Sequence, residues 1–239
     1  TLNPKSTTTL TDKDEAEMDW NKVIYYTGEY DNDKMTLNGR VAVFGDGIVE
    51  NGKAIASSQS GLENAINDPS LTEGDYTMPL VNLQGREIIV TGDKNAVIDA
   101  SQVDERNQFV TGSTLVFKGV TLTFGKKNYM GFANAKSLTY SECNINGLQF
   151  LYCDEVIFED CNLDSNGAEH CVWTYGAKNI SFTNCDFTYG DRGINCYKDQ
   201  DVEGGKQVVN FNGCTFTTTN TNSKGAVEIN SSAFLLALK

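Results

Sequence analysis

One phrase of alternating apolar and polar residues recurs along the second half of the chain. Each copy contains a short apolar–polar alternation, a polar break of two or three residues and a second alternation. Such alternation is typical of strands that bury one face and leave the other in water. The copies begin at Thr114, Ser137, Glu155, Asn179 and Val208. The pattern therefore predicts one supersecondary unit that is repeated along the chain, with differences in length absorbed by loops.

Alignment of the copies on the polar break places equivalent residues in columns. The corner column contains Val120, Cys143, Cys161, Cys185 and Cys214, and the column three residues before it contains Phe117, Tyr140, Phe158, Phe182 and Phe211. At the break lie Glu142, Asp160, Asn184 and Gly213, which suit the left-handed backbone of a sharp corner. A β-sandwich would not keep one residue class in register over five copies. The sequence predicts an all-β fold, a right-handed parallel β-helix (solenoid) with stacked aromatic side chains inside.

The first quarter of the chain has a different character. Residues 1–19 are Ser/Thr-rich, then acidic and aperiodic, which predicts a flexible tail. Residues 20–59 predict a small N-terminal β segment, with a hairpin turn at Asn51 and Gly52. A short capping helix is expected from Ser60, because Glu63 completes a capping box, and it ends near Pro69. Residues 60–239 then form the β-helix, whose last apolar residues either cap its open end or mark a truncated array open to self-association.

Seven cysteines are present, and an odd number cannot all pair internally. No C-x-x-C occurs and His170 is the single histidine, so a zinc site is not expected. Equivalent cysteines of stacked strands lie at a distance that a disulfide could span, but their parallel Cβ directions suit its torsion badly. All seven are therefore predicted to be free, buried, small hydrophobic residues.

The charge of the chain excludes some classes of partner. The formal net charge is −13, which argues against nucleic acid and against an anionic membrane surface. No stretch is long and apolar enough to suggest membrane insertion.

On these repeats, the chain resembles the right-handed parallel β-helix proteins of the pectate-lyase-like superfamily, above all the repeat-containing, adhesin-like cell-surface proteins of bacteria. The resemblance rests on the copies of apolar-x-aromatic-x-x-Cys-x-apolar and on the order of capping helix, extended turn and first coil between Ser60 and Ser101. It covers about residues 60–232. It implies a fold and leaves the activity open, because the superfamily includes lyases, hydrolases, adhesins and phage tailspikes.

The catalytic sets of the enzyme branches are incomplete in this sequence. The hydrolase branch carries paired aspartates, a Gly-His-Gly and an Arg-x-Lys, whereas His170 here lies in Ala-Glu-His-Cys. For the lyase branch, Asp164 and Asp186 fall near one outward strand, with Arg192 and Lys198 on the following turn. The proline-flanked arginine motif of that branch is absent. No cofactor is expected, and calcium is expected only for a lyase.

A cluster of aromatic residues precedes several copies of the repeat. Aromatic rings flanked by polar groups are suited to sugars, and a long parallel face can follow a linear glycan. The alternative is that these aromatic side chains point inward. The candidate ligand-binding residues are Tyr152, Trp173, Tyr175, Arg192, Tyr197 and Lys198.

Together these features favour a non-enzymatic, secreted or surface-displayed bacterial β-helix module that is adhesin-like or glycan-binding, with a polysaccharide or cell-surface glycan as partner. The alternative is a polysaccharide lyase or glycoside hydrolase that acts in a groove along the coils through Asp164, Asp186, His170, Arg192 or Lys198. A structural spacer or phage-fibre piece is the third hypothesis. The expected location is extracellular or at the cell surface.

Overall fold

The computed structural model describes residues 34–39, 41–45, 74–79, 87–92, 96–101, 103, 111–126, 130–197, 207–230 and 234–238. Within these ranges every regular element is a β-strand, and no helix occurs. The predicted tail at residues 1–19, the hairpin turn at residues 51–52 and the capping helix from Ser60 lie outside the described residues. The described part is thus all-β, as the alternating pattern predicts.

The strands form three sheets, and within each sheet neighbouring strands follow one another in the order below. The first sheet contains β2 (Val41–Gly45), β4 (Glu87–Gly92), β6 (Thr114–Lys118), β8 (Ser137–Ser141), β11 (Glu155–Glu159), β14 (Asn179–Thr183), β17 (Gln207–Asn212) and β20 (Phe234–Leu238). The second contains β18 (Thr215–Thr218), β15 (Asp186–Tyr189), β12 (Asn162–Asp164), β9 (Asn144–Asn146), β7 (Thr121–Phe124), β5 (Val97–Ala100), β1 (Lys34–Gly39) and β3 (Gly74–Pro79). The third contains β10 (Gln149–Phe150), β13 (His170–Trp173), β16 (Arg192–Cys196) and β19 (Gly225–Ile229).

From β8 onward the chain visits the first, second and third sheets in turn, and each strand pairs in parallel with its equivalent in the next coil. This is the arrangement of a parallel β-helix, and the predicted architecture is confirmed at that level. At the N-terminal end three pairs are antiparallel, β1 with β3, β1 with β5 and β2 with β4. The right-handed sense of the coil stays a prediction.

A continuous stack of aromatic rings, the core stack, runs through the interior behind the first sheet. Its members are Phe117, Tyr140, Phe158, Phe182 and Phe211, which are at most 4% exposed. Successive ring centroids are 5.5, 4.9, 4.7 and 5.1 Å apart. The predicted stacking is confirmed. Each ring packs against its equivalents in neighbouring coils, so no single coil contains its own core.

The corner between the first and second sheets has the left-handed backbone that the polar breaks predict. Glu142, Asp160 and Asn184 have φ angles of 54°, 52° and 52°, and Gly213 has 66°. One residue in this conformation turns the chain sharply without a longer loop. Gly119 occupies the same position one coil earlier, and a Cβ there would lie 2.8 Å from the carbonyl oxygen of Gly92.

All seven cysteines are free thiols, as predicted, and six of them are buried. In the corner column the thiols donate hydrogen bonds to backbone carbonyl groups: Cys161 Sγ lies 3.4 Å from the carbonyl oxygen of Tyr140 and 3.2 Å from that of Glu159. Burial raises the pKa of Cys153 to about 12, which keeps this thiol protonated. The expectation of burial is wrong for Cys214, which is half-buried. It lies beside β18, the last strand of the second sheet, where no further described strand covers it.

Candidate functional site

The third sheet brings candidate residues from separate coils side by side. Parallel pairing places His170 opposite Arg192, and Trp173 opposite Asn195. The next strand continues both rows, because Arg192 lies opposite Gly225 and Asn195 lies opposite Glu228. Residues far apart in the sequence therefore become neighbours in the third sheet.

Four of the predicted ligand-binding residues form one group of rings, the outer aromatic cluster (Tyr152, Trp173, Tyr175 and Tyr197). The ring centroids of Tyr175 and Tyr197 are 5.5 Å apart in a stacked arrangement, and Tyr152 lies 6.1 Å from Tyr175. Trp173 meets Tyr175 edge to face at 5.5 Å. Tyr152 is 39% exposed and the other three are half-buried, so the cluster lies at the surface.

The outer aromatic cluster is held in place from beneath and from the side. The ring of Phe150, which is 1% exposed, packs 5.4 Å from Trp173 and 5.0 Å from Tyr175. Tyr152 lies directly over Gly176, where a Cβ would collide with its ring. Glycine at this position therefore lets the Tyr152 ring lie flat against the backbone of the adjacent coil.

Beside the aromatic rings, Arg192 is the centre of an ion cluster (Glu169, Asp191, Arg192, Lys224 and Glu228). Its Nη1 lies 2.6 Å from Glu169 Oε1 and 2.6 Å from Asp191 Oδ2, and its Nε pairs with Glu228 Oε2. Lys224 Nζ adds a contact of 3.1 Å to Asp191 Oδ2. The arginine side chain is 10% exposed, whereas that of Glu169 is 47% exposed. The guanidinium is thus buried, whereas the side chains of Glu169 and Lys224 reach water.

His170 lies where the outer aromatic cluster meets the ion cluster. Its ring is 6.0 Å from that of Trp173, and its Nε2 is 3.9 Å from Glu169 Oε2. The residue is 3% exposed, and among the described residues its Nδ1 has no hydrogen-bond partner. Burial lowers the pKa of His170 below its ordinary value, an effect that neighbouring Glu169 opposes. The imidazole is therefore neutral at pH 7. Lys198, the remaining predicted residue, lies outside the described residues.

Sequence reasoning missed the three carboxylates that surround Arg192. A signal existed for two of them, because Glu169 precedes His170 and Asp191 precedes Arg192, so they hold equivalent positions on neighbouring coils. Glu228 gave no such signal. It reaches Arg192 only through the register of β19 on β16.

The second sheet carries a contrasting outer face, the polar ladder (Thr121, Asn144, Asn162, Asp186 and Thr215). These residues lie opposite one another on successive strands. Asn162 Nδ2 donates to Asn144 Oδ1 at 2.9 Å, and Thr215 Oγ1 donates to Asp186. Four of them border a shallow groove of about 420 Å³, together with Asn146, Leu163, Asp164 and Thr188. The two aspartates of the lyase hypothesis, Asp164 and Asp186, therefore share this groove, away from Arg192 on the third sheet.

In the described part of the chain, no group of three or more His, Cys, Asp or Glu side chains is placed to hold a metal ion. No helix in those ranges is long and apolar enough to cross a membrane.

No family model, curated protein or solved structure matches this chain. Its class is therefore defined by its architecture, a β-helix of parallel strands in three sheets that displays an outer aromatic cluster beside a buried arginine and its carboxylates.

Proposed function

We propose that the protein is a non-enzymatic, secreted or surface-displayed β-helix module that binds a glycan on the outer face of its third sheet. The observation that carries the proposal is the outer aromatic cluster at the surface. Outward positions of the second sheet are filled by Asn, Asp and Thr. At the third sheet large rings lie instead at the strand ends: Trp173 is the last residue of β13, and Tyr152, Tyr175 and Tyr197 follow β10, β13 and β16. A group of partly exposed large rings requires a reason beyond the core, and ligand binding supplies one.

The chemistry of the cluster suits a sugar. A tyrosine offers an apolar ring and a hydroxyl group that both donates and accepts hydrogen bonds. A sugar ring likewise combines apolar C–H groups with hydroxyl groups. Because the rings of Tyr175 and Tyr197 are turned towards each other, a ligand meets their edges and hydroxyl groups, while the carboxylates of the ion cluster accept hydrogen bonds from sugar hydroxyls.

The test is a glycan array, followed by titration of each hit while the fluorescence of Trp173 is recorded. The chain contains two tryptophans, so Trp20→Phe provides a background in which Trp173 is the single reporter. Tyr197→Ala is expected to weaken binding about tenfold or more, since aromatic anchors commonly contribute over about 1.4 kcal/mol.

Asn162→Ala on the polar ladder is the matched control, because it also truncates an exposed polar side chain, but on β12 of the second sheet. It is expected to leave the affinity unchanged. Equal losses in both variants, or no hit on a broad array, would contradict the proposal.

The second candidate function is a polysaccharide lyase or glycoside hydrolase in the groove of the second sheet. The observation in its favour is that Asp164 and Asp186 line one groove, since two carboxylates are the usual requirement for glycoside hydrolysis. New reducing ends would be measured on acidic and neutral polysaccharides with and without calcium. Turnover that Asp164→Asn abolishes would establish the enzyme and overturn the non-enzymatic proposal.

A further inference from the structure

We infer that the glycan recognised by the third sheet carries amino sugars with free, positively charged amino groups. The inference rests on the proposed function and specifies its ligand. It follows from the juxtaposition of Glu169 with the ring of Trp173 through His170, and from the burial of Arg192, whose guanidinium would otherwise attract an acidic sugar.

The ion cluster is negative overall, because its three carboxylates outnumber Arg192 and Lys224, and the exposed ammonium group of Lys224 is already paired with Asp191. Arg192 is 10% exposed, and its Nε and Nη1 are already paired with three carboxylates. Those carboxylates are 47%, 27% and 29% exposed at Glu169, Asp191 and Glu228. A uronic acid or a sulfated sugar would meet carboxylate oxygens rather than the guanidinium, and such like charges repel each other.

Glu169 is the carboxylate with the most capacity for a ligand. Lys224 neutralises part of the charge of Asp191 at 3.1 Å. Glu169, by contrast, uses Oε1 for Arg192, while its Oε2 faces the imidazole of His170 at 3.9 Å. Because that imidazole is held neutral by burial, it does not compensate the carboxylate. Oε2 remains a strong acceptor beside His170, whose ring in turn meets that of Trp173.

An aromatic ring beside a carboxylate is an arrangement that favours an ammonium group. The carboxylate accepts charge-assisted hydrogen bonds, and the ring attracts the cation through its π electrons within about 6 Å of the centroid. In this protein His170 bridges the two, with its ring 6.0 Å from Trp173 and its Nε2 near Glu169. A neutral hydroxyl or N-acetyl group would use only part of this arrangement.

The experiment compares three oligomers of equal length at a pH where the sugar amine is protonated. These are a glucosamine oligomer, its fully N-acetylated counterpart and a galacturonic acid oligomer, each titrated against Trp173 fluorescence in the Trp20→Phe background. The glucosamine oligomer is expected to bind about tenfold more tightly than the N-acetylated one, as for one additional charge-assisted hydrogen bond. The galacturonic acid oligomer is expected to bind most weakly. Added salt is expected to reduce the differences in affinity among the three oligomers, because it screens the charges.

Two variants locate the effect. Glu169→Gln keeps the shape of the side chain and leaves Arg192 paired with Asp191 and Glu228, so it is expected to abolish the preference for the free amine. Glu159→Gln removes the same charge from an exposed position of the first sheet and is expected to preserve it. The comparison separates recognition at this site from general attraction of a cation to a chain of net charge −13. Circular dichroism spectra would confirm that both variants fold.

The outcomes distinguish the inference from the function on which it rests. Equal affinity for the free and acetylated oligomers, preference for the acidic oligomer, or a preference that survives Glu169→Gln would overturn the inference and leave glycan binding standing. Failure of all three oligomers, together with no hit on a broader array, would overturn the proposed function itself.

Discussion

The second and third sheets of this β-helix are built on the same coils but carry opposite kinds of surface. On the second sheet, one residue class repeats from strand to strand, and its members bond to one another, as Asn162 does to Asn144. On the third sheet two rows change residue class from coil to coil, as His170, Arg192 and Gly225 show. Unlike groups there converge on shared partners, as three carboxylates do on Arg192. The first surface largely satisfies its own hydrogen bonds along the stack. The second departs from the repeat.

This difference distinguishes the residues that the stacking of coils requires from the surface residues that it does not require. A ladder of like polar residues follows directly from stacking and stabilises the register of neighbouring coils. A buried arginine with three carboxylates and a group of half-exposed rings is not needed for stacking, and it adds desolvation costs that the polar ladder avoids. Such a departure from the repeat is therefore the better candidate for a functional surface.

The largest expected effect concerns the core on which both faces depend. Phe158 is fully buried, with ring centroids 4.9 Å from Tyr140 and 4.7 Å from Phe182. Phe158→Ala should lower the free energy of unfolding by about 3–5 kcal/mol, because it removes stacking on both sides and leaves a cavity. Ile157→Ala, on the half-buried outer side of the same strand, should cost far less. Urea unfolding would measure both, and similar losses would contradict the account of the core stack.

Arg192→Met is expected to have the second-largest effect and to lower the free energy of unfolding by about 2 kcal/mol. It leaves three carboxylates without their shared guanidinium, and only Asp191 keeps a cation, Lys224. Partial exposure of the carboxylates reduces the cost from the roughly 3–5 kcal/mol of a fully buried pair. The matched change on the other sheet is Asn162→Ala, which removes an exposed hydrogen bond to Asn144 and should cost at most about 0.5 kcal/mol. Equal losses of stability for the two variants in thermal unfolding would show that the two faces do not differ as described.

At the corners between the first and second sheets, two substitutions are expected to change the free energy of unfolding in opposite directions. Gly119→Ala should destabilise by about 1–2 kcal/mol, because its Cβ would enter a left-handed conformation with φ 66° and approach the carbonyl oxygen of Gly92. Glu142→Gly, one coil later at φ 54°, should stabilise by about 0.5 kcal/mol, since glycine adopts this conformation without strain. Calorimetry would check the pair, and a gain for Gly119→Ala would refute the argument.

The smallest expected effect is a dependence of the free energy of unfolding on pH, which arises from His170 in the third sheet. Burial lowers the folded-state pKa of His170, and Arg192 adds to that direction while Glu169 and Asp191 oppose it. The folded protein therefore binds fewer protons here than the unfolded chain. The resulting stability is complete above the ordinary histidine pKa and is lost as the pH falls through the folded-state value.

His170→Gln should remove this pH-dependent contribution to stability. Measured by urea unfolding between about pH 7 and pH 5, the wild type should lose more stability than the variant on acidification, near the ordinary histidine pKa of about 6.5. Parallel curves for the two proteins would contradict the lowered pKa. The polar ladder contains no histidine, so Asn162→Ala should follow the wild-type slope.

Much of the fold could be predicted from the sequence because stacking imposes local, repeated demands. A residue such as Phe158 must be apolar and large in every coil, and a residue such as Asp160 must tolerate a left-handed backbone. Both requirements leave a column in the alignment of the repeats. The buried thiols are predictable for the same reason, except for Cys214 at the end of the described second sheet.

The candidate site was only partly predictable because only part of it repeats. The aromatic residues Tyr152 and Tyr175 recur at equivalent positions, two residues after the paired Phe150 and Trp173, and the structure places them 6.1 Å apart. The contact of Glu228 with Arg192 depends on the register of β19 on β16, which the variable loops between the coils conceal. The antiparallel pairing of β1 with β3 and β5 leaves no repeated pattern either.

The central claim is that ligand binds to the third sheet and not to the second, and hydrogen–deuterium exchange with a glycan identified on the array tests it most directly. Saturating glycan is expected to slow exchange in peptides covering β13 and β16, residues 170–176 and 192–197, and to leave those covering β12 and β15 unchanged. Protection confined to residues 162–164 and 186–188 would move the site to the groove of Asp164 and Asp186 and contradict the claim.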